Sequence, residues 1–188
     1  MTTVLILLIL VLIGFIIITF NRLIRGRNLM REAWSGIDVQ LKRRHDLVSS
    51  LVEAVKGYRR YERNLLQNIT ELRSRCVSAR ELKEKEKAEK ALSHGLKTLF
   101  AVAEGYPELK ASRNFLDLQR NLAEIEDQIQ LARRYYNGTV RNYNIRVESF
   151  PSMLVARVFY FSPADFFEIE YATEREVPEI KMYQEDKS

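Results

Sequence analysis

The chain has 188 residues and a formal net charge of +5, which is enough length for one domain with a hydrophobic core beside a membrane segment. Cys76 is its only cysteine, which excludes an internal disulfide and fits a reducing compartment. The charge is unevenly distributed, because residues 21–60 are predominantly basic and residues 164–188 predominantly acidic. A basic segment and an acidic tail therefore bracket the chain.

The N-terminal segment is apolar. Val4 to Phe20 reads VLILLILVLIGFIIITF, and its flanking residues extend it to about 20 residues, the length of a membrane-spanning helix. A cleaved signal peptide would need a basic start and small residues at a cleavage site, and neither is present here. The sequence therefore predicts a retained transmembrane anchor at residues 3–21.

A basic cluster follows the anchor directly. No basic side chain precedes the apolar run, and the basic flank of a membrane helix normally remains in the cytoplasm. We therefore predict a single-pass protein of the cell membrane with its N-terminus outside and its helical domain in the cytoplasm. The membrane-proximal basic residues are Arg22, Arg25, Arg27 and Arg31.

Apolar residues spaced three and four apart predict two helices in the next part of the chain. The first runs from Asn21 to Lys56, stops at Gly57 and carries one polar layer at Arg44 and His45. The stretch ELKEKEKAEK, residues 81–90, follows the second helix and is interpreted as a solvated helix end or hairpin tip. The apolar positions are Trp34, Ile37, Leu41, Val48, Leu51, Val55 and Tyr58, then Tyr61, Leu65, Ile69, Leu72, Cys76 and Ala79.

Two further helices are predicted before Pro151. The third ends at Pro107. The fourth opens at Ser112 or Asn114, either of which can cap a helix, and ends at Pro151. The apolar positions are Ala88, Leu92, Gly95, Leu99, Val102 and Tyr106, then Phe115, Leu118, Leu122, Ile125, Ile129, Ala132, Tyr136, Val140, Tyr143, Val147 and Phe150.

Helices with short connections predict an all-α fold, in which the transmembrane helix leads into an antiparallel up-down bundle of four helices at residues 22–150. Counting residues from the membrane along the first and fourth helices places Trp34 level with Tyr136. The same count places Asp38 near Arg133 or Arg134. Asn137 and Asn144 are interpreted as a polar layer that fixes the register of the bundle.

The segment after the bundle, residues 151–188, is aromatic and then acidic. Its first part, residues 151–167, is too apolar for a solvated loop. It either covers the open, membrane-proximal end of the bundle, the interpretation we favour, or inserts its aromatic side chains into the membrane interface. The acidic residues from Asp165 onward are expected to pair with the arginines beside the anchor.

Three stretches resemble the LemA family of bacterial membrane-anchored proteins. They are EAWSGIDVQLKRRHDLVSSLVEAVKGY (32–58), AVAEGYPELKASRNFLDLQ (101–119) and ARRYYNGTVRNYNIRVESFPSMLVA (132–156). Ser49 and Ser50 stand where the family commonly has Pro-Asn, which removes a proline kink from the first helix. The resemblance implies a membrane-bound bundle of long helices and no known reaction, because the family has no established biochemical activity.

The same stretches supply the candidate interaction residues. These are Trp34, Asp38, Gln40, Lys42, Arg43, Arg44, Asp46, Tyr106, Pro107, Lys110, Asn137, Tyr143, Asn144, Phe150 and Pro151. The basic run from Lys42 to Arg44 is interpreted as a solvated helix face, because nucleic-acid binding requires a broader basic surface.

The residues do not assemble known catalytic or cofactor chemistry. The two histidines, His45 and His94, lie outside any HExxH motif, a lone cysteine cannot build a thiolate zinc site, and no phosphate-binding glycine loop is present. His45 and Asp46 are adjacent on a helix and point in different directions. We predict no enzyme, no cofactor and no metal, and we interpret Cys76 as a core thiol.

The sequence favours a structural or interaction protein. In this interpretation the chain is a membrane-anchored scaffold for other membrane proteins or for copies of itself, with no nucleic acid and no small-molecule substrate. The alternative is a lipid-binding or membrane-organising protein, because anionic lipids are attracted to arginines beside an anchor.

Overall fold

The computed structural model describes residues 1–57 and 63–168. These residues form helices and no strand, so the predicted all-α fold is confirmed. The acidic residues beyond residue 168, together with Tyr58 and Tyr61, lie outside the described residues. The expected pairing of the acidic tail with the arginines is wrong for Asp165, which lies beside Tyr136, whose hydroxyl donates to its carbonyl at 3.1 Å. The helices are α1 (Thr2–Lys56), α2 (Arg63–Ser78), α3 (Leu82–Ala103), α4 (Pro107–Lys110), α5 (Arg113–Glu148) and α6 (Ser152–Val158).

Helix α1 is continuous over 55 residues, which corresponds to a length of about 80 Å. Its N-terminal apolar side chains are largely exposed, as expected for a helix surrounded by lipid rather than by protein. Among the described residues it is the one helix long and apolar enough to cross a membrane. From Thr19 onward one face is buried, and the helix ends before Gly57, as predicted.

Helix α5 runs antiparallel to α1 and packs along it. The ring centroids of Trp34 and Tyr136 lie 5.4 Å apart, which confirms their predicted level. Gly26 allows the two helices to approach closely, since a Cβ atom there would lie 3.2 Å from Cδ2 of Tyr143. Asp38 forms an ion pair of 2.7 Å with Lys85 of α3, and its expected proximity to Arg133 or Arg134 stays a prediction.

The buried core is divided into two apolar clusters. The proximal cluster, on the side of the N-terminal apolar segment, lies between α1, α5 and α6 and includes Ile37, Ile129 and Val140. The distal cluster lies between α1, α2, α3 and α5 and includes Val48 and Ile69. Helices α2 and α3 contribute their fully buried apolar residues to the distal cluster. The four long helices α1, α2, α3 and α5 therefore pack around this cluster.

The chain after α5 first closes the proximal cluster and then turns back along the bundle. Val155 and Ala156 of α6 are buried, so the favoured interpretation, that this segment covers the end of the bundle, holds for α6. It is wrong for most of residues 161–168, which we call the strap, because Ala164 and Phe167 are hydrogen-bonded to Asn144 and Asn137 on the side of α5. Phe167 of the strap is fully buried, with its ring centroid 5.1 Å from that of Trp34.

Candidate functional site: a buried polar layer beside an open groove

A layer of polar side chains separates the two apolar clusters. Four helices contribute to it, and its two most enclosed charged members are Arg44, which is 2% exposed, and Glu89, which is fully buried. Charged groups this deep require partners, because an unpaired buried charge is strongly unfavourable. The polar layer consists of Arg44, His45, Cys76, Glu89, Ser93 and Glu126.

Glu89 holds the layer together. Its Oε1 lies 2.7 Å from Nε2 of His45, and its Oε2 lies 3.4 Å from Nη1 of Arg44. Arg44 also donates a hydrogen bond of 2.6 Å from Nη2 to Oγ of Ser93, and its Nη1 lies 3.5 Å from Oε2 of Glu126. One guanidinium group therefore serves two carboxylates.

Burial changes the proton affinity of two groups in the layer. It raises the pKa of the Cys76 thiol from 9.0 to about 12, and the nearby carboxylate of Glu89 adds to this shift. Burial also raises the pKa of Glu126, against the opposing effect of Arg44, and the charge of Glu89 raises it further. Because only a thiolate is a good nucleophile, the raised pKa disfavours Cys76 as a nucleophile at neutral pH.

A groove between α3 and α5 opens beside the polar layer. Its inner part is a cavity of about 270 Å³, and an adjoining cavity of about 360 Å³ extends to Phe115 and Lys110. Within the described residues, Oε1 of Glu126 is buried without a hydrogen-bond partner. The polar layer is therefore accessible from one side. The inner cavity is lined by Arg44, Ser93, Leu96, Lys97, Phe100, Gln119, Leu122, Ala123 and Glu126.

The sequence predicted two of the six members of the polar layer as polar positions. The predicted polar positions Arg44 and His45 are both buried. The interpretation of residues 81–90 as a solvated end is wrong for Glu89, because α3 begins at Leu82 and carries Glu89 on its buried face. The signal was its spacing, since Glu89 lies three residues before Leu92, the next buried apolar position. Cys76 is buried, as expected for a core thiol.

The basic run of α1 divides between two environments. Lys42, Arg43 and Asp46 are exposed, which matches the predicted solvated face, whereas Arg44 points inward. Gln40 is half-buried, and its Oε1 lacks a hydrogen-bond partner among the described residues.

Asn137 and Asn144 bind the strap, so their interpretation as a register layer inside the bundle is wrong. Asn137 donates to the carbonyl of Phe167 at 3.0 Å and accepts from its N–H at 2.9 Å. Asn144 makes the same pair of bonds with Ala164, at 2.9 and 2.8 Å. Each side-chain amide therefore makes, with one residue of the strap, the two hydrogen bonds that a neighbouring β-strand would otherwise make.

The other candidate residues lie at the two ends of the domain. Tyr106 and Pro107 form the turn into α4, and Lys110 lines the outer cavity of the groove. Tyr143 is buried against α1. Phe150 was predicted on the apolar face but is 76% exposed, because α5 ends at Glu148, and Pro151 beside it is also exposed.

The four membrane-proximal arginines do not form a single site. Arg22, Arg25 and Arg31 are exposed. Arg27 is half-buried, and its guanidinium carbon lies 5.4 Å from the ring centroid of Phe161, a cation–π contact with the strap.

The long apolar helix and the bundle with its antiparallel α1–α5 pair define a membrane-associated all-α protein. The LemA family matches residues 33–182, and the chain belongs to this family. LemA is not known as a family of enzymes.

Curated relatives share this helical region. The chain is 28% identical over 138 residues to "Protein LemA" of Metamycoplasma hominis, covering 73% of this chain and 63% of that protein. It is 28% identical over 98 residues to magnetosome protein MamQ 2 of Paramagnetospirillum magneticum, covering 52% and 36%. With MamQ of Magnetospirillum gryphiswaldense the identity is 20% over 177 residues, covering 80% and 65%. The chain thus spans less than two thirds of each of these relatives.

Proposed function

We propose that the chain is a membrane-anchored scaffold, and not an enzyme, that binds other membrane proteins or further copies of itself. The observation that carries the proposal is the continuity of α1, which runs without interruption from the exposed apolar segment to the distal cluster. About 20 of its residues suffice to span a bilayer. The remainder holds the groove between α3 and α5 at a set distance from the membrane, the arrangement that a tethered binding domain requires.

The proposal includes the orientation with the N-terminus outside and the bundle in the cytoplasm. Its support is the flanking charge, because Arg22, Arg25 and Arg31 are exposed at the inner end of the apolar segment. Cys76 is a poor reporter of orientation, since its thiol is buried. A cysteine introduced at exposed Asn68 of α2 should react with an impermeant thiol reagent only after cells are permeabilised. Reaction in intact cells would reverse the orientation.

Photocrosslinking in native membranes tests the scaffold function. A photoreactive residue at Gln119, which is exposed and lines the groove, should form an adduct with a membrane protein or a second copy of the chain, identified by mass spectrometry. The matched control is the same residue at Asn68, on an exposed face of α2. An absence of adducts at Gln119, or identical adducts at both positions, would count against binding in the groove.

A second candidate function is direct contact with lipid, and the aromatic turn after α6 favours it. Phe159 packs against Phe20, the last residue of the apolar run, with centroids 4.8 Å apart. Tyr160 is 94% exposed and has φ 56°, although this backbone conformation favours glycine. An exposed tyrosine at such a position, level with the end of the membrane segment, fits the aromatic belt of an interface.

Depth-dependent quenching tests this second function in the full chain reconstituted into vesicles. A fluorophore at Tyr160 should be quenched by lipid-attached quenchers. A fluorophore at Phe166 should not, because its neighbour Phe167 packs on Trp34, about 20 Å further along α1 than Phe20. Equal quenching at the two positions, or none at Tyr160, would contradict an interfacial position for the turn.

A further inference from the structure

The polar layer brings together three side chains that bind metals. His45 comes from α1, Cys76 from α2 and Glu89 from α3, and all three are buried. One donor atom of each, an imidazole nitrogen, the sulfur and a carboxylate oxygen, lies within 4.8 Å of the other two. We infer that His45, Cys76 and Glu89 form a binding site for a divalent transition-metal ion of the zinc type.

The geometry and the donor atoms fit such an ion. Zinc bonds of about 2.0–2.3 Å arranged tetrahedrally separate ligand atoms by about 3.3–3.7 Å, so the three donors are already near the required spacing. Imidazole, thiolate and carboxylate are the ligands that zinc accepts in proteins. Calcium and magnesium prefer oxygen ligands, which makes them poor occupants. Three protein ligands leave a fourth position for water.

The hydrogen bonds in the layer resemble those of a metal site in which protons take the place of the ion. The carboxylate of Glu89 interacts with both the imidazole of His45 and the thiol of Cys76. A metal ion would replace the thiol proton, as metals do when they bind cysteine.

The surroundings of Glu89 provide the outer support that metal ligands commonly have. Its Oε1 faces His45, whereas its Oε2 lies 3.4 Å from Nη1 of Arg44. Ser93 fixes Arg44 in turn, through a hydrogen bond of 2.6 Å. These contacts orient the carboxylate toward the other two ligands. Arg44 and Ser93 also line the inner cavity of the groove, so the site lies next to it.

Cobalt titration of the full chain in detergent tests the site. After treatment with a chelator, the protein should bind one Co²⁺ per chain with a thiolate-to-cobalt charge-transfer band, and Zn²⁺ should displace the cobalt. Cys76 is the only cysteine, so this band can arise from no other residue. His45→Gln and Glu89→Gln should each weaken cobalt binding by about 10-fold to 100-fold. Cys76→Ser should abolish the charge-transfer band.

Matched variants separate the site from surface binding and from unfolding. His94→Gln removes the other histidine, which is exposed on α3, and Glu84→Gln removes an exposed carboxylate of the same helix; neither should change the affinity. Circular dichroism should show that Cys76→Ser, a nearly isosteric change, keeps its helical content. The inference is overturned if the wild-type protein binds no stoichiometric cobalt, if no charge-transfer band forms, or if the control variants weaken binding as much as His45→Gln does.

Discussion

Arg44 lies within ion-pair distance of both Glu89 and Glu126, and its side chain is 3% exposed. Replacing it with methionine would leave the buried carboxylate of Glu89 without its arginine partner, with His45 as its remaining contact. Removal of one partner of a buried ion pair typically costs about 3–5 kcal/mol, and we expect Arg44→Met to lower the free energy of unfolding by this amount. Urea unfolding of the full chain in detergent measures it.

The neighbouring residue supplies the control for this prediction. Arg43→Met removes an exposed arginine and should change the free energy of unfolding by no more than about 0.5 kcal/mol. The double variant Arg44→Met/Glu89→Gln should recover part of the loss, because the buried charge is then absent. A loss in Arg44→Met no larger than that in Arg43→Met would show that the ion pair contributes nothing to stability.

Glu126 makes stability depend on pH. Since burial raises its pKa above the ordinary value of 4.5, the folded protein retains a proton on Glu126 that the unfolded chain releases. The contribution of Glu126 to the free energy of unfolding is therefore largest below pH 4.5, and it decreases as the pH rises through the higher pKa of the folded state. Glu126→Gln lacks this titration, so the variant should gain stability relative to wild type as the pH rises from 4 to 7. A difference in melting temperature that does not vary with pH would exclude this role.

At the residue scale, the sequence identified buried positions but not their pairing. Arg44 and His45 interrupt the apolar face of α1, and their burial followed from periodicity alone. Their partner Glu89 lies in a run of charged residues, where composition indicated solvent. The convergence of α1, α2 and α3 on one layer is a tertiary contact, and helical spacing within one segment does not report it.

At the scale of the helices, α5 allows a direct test of the buried face. Leu122 is 7% exposed, whereas Leu131 on the same helix is 49% exposed. Leu122→Asp buries a charge without a partner and should lower the free energy of unfolding by about 4 kcal/mol or more. Leu131→Asp, the matched control, should cost about 0.5 kcal/mol or less. Similar losses in the two variants would show that the assignment of the buried face of α5 is wrong.

The distance between the two bonded residues of the strap matches the distance between the two asparagines of α5. Asn137 and Asn144 are seven helical residues apart, a rise of about 10.5 Å. Their partners Phe167 and Ala164 are three extended residues apart, about 10 Å. Both amides can therefore bind the strap at once. This match depends on a backbone segment that returns from α6, and for that reason the sequence pattern of α5 did not reveal the purpose of its asparagines.

Hydrogen exchange can test this pairing. Asn144→Ala should expose the N–H of Ala164 to exchange, and Asn137→Ala that of Phe167, since each removes the acceptor of that N–H. Asn142→Ala changes an exposed asparagine of the same helix and should leave both amides protected. If Ala164 and Phe167 stay protected in the Asn144 and Asn137 variants, the strap is held by its apolar contacts alone.

At the scale of the whole molecule, the two apolar clusters should differ in their cooperativity. Ile69 of α2 is fully buried in the distal cluster, and Ile69→Ala should cost about 2–5 kcal/mol there. Helices α2 and α3 place their fully buried apolar residues in the distal cluster. In the Ile69→Ala variant, the amides of Leu92 and Leu96 should therefore exchange faster than in the wild type, whereas those of Ala164 and Phe167 should exchange at the wild-type rate. Equal acceleration in both halves would mean that the domain unfolds as one unit.

Because α1 is continuous, a tilt of its apolar segment also moves the helical domain. About 36 residues separate Phe20 from Gly57 along one unbroken helix, a rise of about 54 Å. Membrane helices adjust their tilt when the bilayer becomes thinner or thicker. A change in tilt of about 10° in the apolar segment would displace the far end of α1 by about 9 Å, from this length. The thickness of the bilayer would then set the position of the far end of the domain, mainly in the direction parallel to the membrane.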